Sequence, residues 1–140
     1  MPRDPMTVLL RLRRMTADDA QRALAECLRA ETASAAAVRL IETEIEQETE
    51  AVCGVETDDR AVEEFGAWFR RIRKEQQAAA LAMQQAEGRT HEARTVLAAS
   101  RAALQAVEEV LAKREAERQA SEARAEQRQL DEMASIRNGG

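Results

Sequence analysis

Apolar residues recur along this chain in alternating steps of three and four. From Val62 the row continues through Phe65, Phe69, Ile72, Gln76, Ala79, Met83, Ala86, Thr90, Ala93, Leu97, Ser100, Leu104, Val107 and Leu111. Only Gln76, Thr90 and Ser100 put polar groups into it. This spacing holds one row of side chains on one helix face and predicts a sustained heptad seam. A weaker row precedes it: Leu10, Arg13, Ala17, Ala20, Leu24, Cys27, Glu31, Ser34, Val38, Ile41, Ile45, Glu48 and Val52. Two amphipathic helices follow from the pattern alone.

Helix-breaking residues are sparse. Both prolines fall in the first five positions, where Asp4 is placed to cap a helix and Pro5 to begin it. Thr16 and Asp19 offer a second start signal, with fraying before it. The one interior break is VCGVETDD, residues 52–59. There Gly54 is suited to end a helix in the left-handed conformation, and Thr57, Asp58 or Asp59 to cap the next. The expected organisation is a single hairpin over 1–140: a first helix over about 5–52, a loop over about 53–58 and a second helix over about 59–137.

Folding the chain back at residue 56 sets the start of the first helix near Met6 opposite residue 106. The second seam fades just beyond that level, at Leu111. The two lengths agree, so the expected fold is all-α, a long antiparallel two-helix coiled coil within one chain. The Ala-rich stretches Ala33–Ala37 and Ala78–Ala82 fall opposite one another, which favours close approach. Past Leu111 the sequence AKREAERQASEARAEQRQLDEMASIRNGG has balanced charge and no apolar row until Leu130, Met133 and Ile136. It reads as an overhanging C-terminal helix, held by charge pairs one turn apart.

Composition agrees with long helices. Only 2% of residues are aromatic and 34% are charged, too little ring area for a compact core of this length. The longest apolar run is too short to cross a bilayer. The opening MPRDPMTVLLRLRR has charge inside its apolar part, unlike a secretory leader. Cys27 and Cys53 would lie about 39 Å apart on one helix at ~1.5 Å per residue, which rules out a bridge between them there and fits a reducing compartment. The expectation is a soluble cytoplasmic protein.

All three aromatic residues fall in EFGAWFRRIRK, residues 64–74. The seam assigns Phe65 and Phe69 to the core and Trp68 to its edge. Arg70, Arg71, Arg73 and Lys74 then lie on the flank and outer face. Two readings of that cluster stand side by side. Glu42, Glu44, Glu46 and Glu48 lie nearly opposite and would neutralise it by surface ion pairs, or the cluster grips a partner with Trp68 as anchor.

Candidate chemistry is sparse. His91 is the only histidine and has no Cys or carboxylate set around it. No serine or cysteine has a base beside it, and the five glycines form no phosphate-binding loop. The sequence implies no enzyme, no cofactor and no metal. A net charge of −5 and the lack of a continuous basic face argue against nucleic acid. The start MTVLLRLRRM has the character of a surface-touching amphipathic helix, without insertion.

Four segments resemble the flagellar type III export protein FliJ and its injectisome counterparts. They are VLLRLRRMTADDAQRALAE, FGAWFRRIRKEQQ, ALQAVEEVLAKREAE and EQRQLDEMA, in family order and spanning nearly the whole chain. The resemblance implies a coiled coil like the central stalk of rotary ATPases. It implies binding to the hexameric export ATPase, to the cytoplasmic linker of the membrane export-gate protein and to export chaperones. The place of action would be cytoplasmic, at the inner-membrane export apparatus of the flagellar base. The gate contact maps onto Trp68 and Ile72, with Glu44 and Glu48 where some members carry aromatic residues. The ATPase contact maps onto Leu9, Leu10, Arg11, Arg13 and Arg14, and onto Leu130, Asp131, Glu132, Met133 and Ile136. A homodimeric coiled-coil scaffold, or an injectisome counterpart, is the alternative.

Overall fold

The fold is that of a computed structural model describing residues 4–54 and 58–139. Two helices account for nearly all of it: α1, Pro5–Cys53, of 49 residues, and α2, Asp59–Asn138, of 80 residues. They pack against each other as an all-α hairpin, and no strand occurs among the described residues.

Each helix begins where a short acidic side chain can reach back. The Met6 N–H donates to Asp4 Oδ1 at 3.1 Å, and Pro5 occupies the first turn, where its missing N–H costs nothing. The Ala61 N–H donates to Asp58 Oδ1 at 2.8 Å, which makes Asp58 the cap of α2. Of the other two candidates, Asp59 is the first residue of α2 and Thr57 lies outside the described residues.

Two boundary expectations are corrected. Gly54 does not turn left-handed: no described glycine has a positive φ, and the Gly54 N–H continues the helical pattern by donating to the Glu50 carbonyl at 3.2 Å. Thr16 starts no second helix. Its hydroxyl donates to the Leu12 carbonyl at 2.9 Å, so it sits inside α1 and bonds back to the preceding turn.

Two compact units divide the described residues. One is Asp19–Ala98, and both helices contribute to it. Its buried side chains are Ala20, Ile72, Ala86, Thr90 and Leu97. Thr90, only 1% exposed, is the most buried residue of the seam. Its hydroxyl donates to the Ala86 carbonyl at 3.1 Å, so the polar group enters the seam without leaving a donor unpaired. The other unit joins the residues up to Asp18 with those from Ala99 onward, and it buries Ala17, Ser100 and Val107. Small residues at Ala17, Ala20 and Ala86 leave room for close backbone approach, in place of large rings.

From Ile72 to Leu111 every position of the anticipated α2 row is buried or half-buried. Nearer the interhelical connection the row shifts. Val62 and Phe69 are exposed, while Ala61, Phe65 and Trp68 are half-buried. Trp68, not Phe69, is the inner ring. Of the Ala-rich stretches only Ser34, Ala35 and Ala79 turn inward.

Beyond Leu111 every described residue is exposed through Gly139, although α2 continues to Asn138. Charge pairs along the helix support this stretch. Arg118 Nε donates to Glu115 Oε2 at 3.0 Å, and its terminal nitrogens reach Glu115 and Glu122. The hydrogen bond from Arg118 lowers the Glu115 carboxyl below its usual range, and Glu115 in turn raises the Arg118 guanidinium further.

Candidate functional site

The aromatic cluster grows from three ring positions in the first turns of α2. Phe65 sits between its neighbours, with its centroid 5.6 Å from Trp68 and 6.0 Å from Phe69. These distances suit ring pairing. Phe69 points outward at 37% exposure, with the Arg73 guanidinium carbon 5.6 Å from its centroid. Trp68 lies on the opposite flank of Phe65 and keeps part of its indole exposed. Ile72, only 3% exposed, is committed to the helix pair; it supports the face and does not form it.

Glu44 and Glu48 are exposed, and they share the Asp19–Ala98 unit with Trp68. Among the described residues no ion pair joins Glu42, Glu44, Glu46 or Glu48 to Arg70, Arg71, Arg73 or Lys74. The ion-pair account of the basic cluster is therefore corrected. The four cations line a shallow outer concavity with Ala67, Phe69 and Gln77.

The second group of predicted residues lies at the start of α1 and the end of α2. Leu9 and Leu10 are half-buried, whereas Arg11, Arg13 and Arg14 are exposed. The outward apolar row here is Val8, Leu12 and Met15, which sequence reasoning missed. Steps of four and three residues were its signal, masked by Leu9 and Leu10 beside them. Near the end of α2, Leu130, Met133 and Ile136 are 60%, 67% and 77% exposed. They form an open apolar face with Ala134, Arg137 and Asn138, beside the exposed Asp131 and Glu132. Roughly 30 Å of helix, at ~1.5 Å per residue, separates this face from Leu111.

No group of three or more metal-binding side chains occurs among the described residues. No helix is long and apolar enough to cross a membrane. What the surfaces offer is apolar area framed by charge, which is the chemistry of protein contact.

The chain matches the family described as Flagellar FliJ protein over residues 2–139. It belongs to that family. Neither a curated protein nor a solved structure matches it. The family is a component of flagellar export, so the surfaces above are those of a FliJ-family chain. The match runs through both helices and the exposed end of α2, not merely the paired seam.

Proposed function

We propose that this FliJ-family chain links the flagellar export ATPase to the membrane export gate. Its exposed α2 end and the beginning of α1 engage the ATPase ring, favour hexamer formation and respond to the ring's nucleotide state. The Trp68 flank, with Glu44 and Glu48 as polar contacts and Ile72 as support beneath, engages the cytoplasmic linker of the gate protein. Export chaperones are further partners, handled from the same coiled coil. The place of action is the cytoplasmic side of the inner membrane at the flagellar base.

The observation that carries this reading is the stretch after Leu111. It stays helical with every described side chain exposed, yet ends in the apolar residues Leu130, Met133 and Ile136. A charged helix lacking an apolar stripe gains little from remaining helical alone. An apolar face at its far end gains much from a partner that covers it, at about 25 cal/mol per Å² of apolar surface buried.

Sedimentation of the export ATPase with nucleotide tests the proposal. Adding the chain raises the hexamer fraction, and the triple change Leu130→Asp, Met133→Asp and Ile136→Asp abolishes the increase while the hairpin still melts normally. If the chain sediments as a homodimer and leaves the ATPase distribution unchanged, it is a plain scaffold instead.

A further inference from the structure

A second surface lies on the outer face of α2, away from the Trp68 flank. It is built from Phe69, Arg70, Arg71, Arg73, Lys74 and Gln77, within about two turns of helix, with the half-buried Gly66 one turn before them. Three observations meet there. The Phe69 ring is exposed, with Arg73 over one face; Arg73 Nη1 also donates to Gln76 Oε1 at 3.1 Å, which fixes the guanidinium in place. Arg70, Arg71 and Lys74 make no ion pair among the described residues, so their charge is not consumed internally. Gly66 sits one turn before Phe69 and Arg70, and a Cβ built there meets nothing within 4 Å.

Glycine inside a helix is destabilising relative to alanine, and here no neighbour in the fold requires it. Gly66 is half-buried, and its missing side chain leaves space beside the exposed ring for another chain's backbone. The patch is also narrow. On the Trp68 side of the helix the exposed carboxylates Glu64, already paired with Arg60 at 3.4 Å, and Glu75 bound it. A broad anionic surface, such as a lipid bilayer or a nucleic-acid duplex, would meet these carboxylates. A slender acidic segment laid along the cations would not.

We propose that this outer face of α2 docks an acidic polypeptide segment carrying an apolar anchor. The anchor packs on Phe69, the segment's backbone passes close over Gly66, and its carboxylates pair with Arg70, Arg71, Arg73 and Lys74. The proposal is independent of the Trp68 contact, since the two rings face opposite flanks of Phe65.

The test is fluorescence anisotropy with the full chain. The probe is a dye-labelled helical peptide of Glu with Leu at every third or fourth position. The controls are the same peptide with Ala for Leu, and vesicles of anionic phospholipid. The Leu peptide binds, and raising the salt to several times the physiological level weakens it by about tenfold. Phe69→Ala weakens binding by roughly tenfold and leaves melting nearly unchanged, and the double change Arg70→Glu and Lys74→Glu weakens it at least as much. Gly66→Ala raises the melting temperature while weakening binding, a split that a purely structural glycine would not produce. Absence of binding overturns the proposal, as does binding that ignores both Phe69→Ala and charge reversal. So does equal affinity for the Ala peptide, stronger binding to vesicles, or loss on Trp68→Ala but not on Phe69→Ala.

Discussion

Trp68 and Phe69 are adjacent and both aromatic, yet the fold uses them differently. Trp68 turns partly inward beside Phe65, while Phe69 faces out under Arg73. Burial therefore orders the effects of truncation. Ile72→Ala is expected to cost most, about 2–4 kcal/mol, because its side chain is removed from water and leaves a gap. Trp68→Ala should cost less, about 1–2 kcal/mol, and Phe69→Ala under about 1 kcal/mol, since exposed atoms lose little on truncation. Thermal melting of the three variants checks the order. A Phe69→Ala loss matching that of Ile72→Ala would mean that the row runs through Phe69 after all. A second test lies at Gly88, where a built Cβ meets nothing within 4 Å. Gly88→Ala should stabilise the helix by about 0.5–1 kcal/mol, seen as a raised melting temperature.

At the scale of the helices, the paired and unpaired parts of α2 differ in what holds them. From Ile72 to Val107 the helix is anchored by burial against α1, with Leu111 the last half-buried residue. Beyond it only contacts along the helix remain, such as Arg118 with Glu115 and Glu122. Amides from 112 to 138 should therefore exchange with solvent much faster than those from 72 to 107. Comparable protection in the two stretches, without a partner, would contradict this. Acidification probes the same contacts. The Glu115 carboxyl is held below its ordinary value, chiefly by the Arg118 hydrogen bond. Its contribution to the helix is present above the unfolded carboxylate pKa and is lost as pH falls through the lowered folded value. Residue-resolved helicity near Glu115 should fall in that window, and Arg118→Ala should remove the dependence there.

The same scale explains what the sequence made legible. Asp4 was readable as a cap because a short acidic side chain before a helical run has one cheap use. Before α2 three neighbours, Thr57, Asp58 and Asp59, offered the same use, and only the bond to the Ala61 N–H selects Asp58. The Ile72–Leu111 row was readable because its spacing admits one face only. Near the connection two rows fit equally well, through 62, 65, 69 and 72 or through 61, 65, 68 and 72, and both 68 and 69 are aromatic. Spacing cannot choose between them; the packing of the two helices does. Val8, Leu12 and Met15 were hidden in the same way, by apolar neighbours at Leu9 and Leu10. Gly54 was misjudged because glycine permits a left-handed ending without requiring one.

For the molecule as a whole, FliJ-family membership and the exposed end of α2 together make a demand. The apolar residues near Asn138 have no cover within their own unit, and under the proposed function the export ATPase supplies it. Hydrogen exchange of the full chain, alone and with the nucleotide-bound ATPase, measures this directly. The account predicts slowed exchange concentrated at residues 130–137, with a smaller effect near residues 8–15 and none around Thr90. If exchange at 130–137 is unchanged while the ATPase is demonstrably bound, the exposed end of α2 is not the coupling element and the central claim fails.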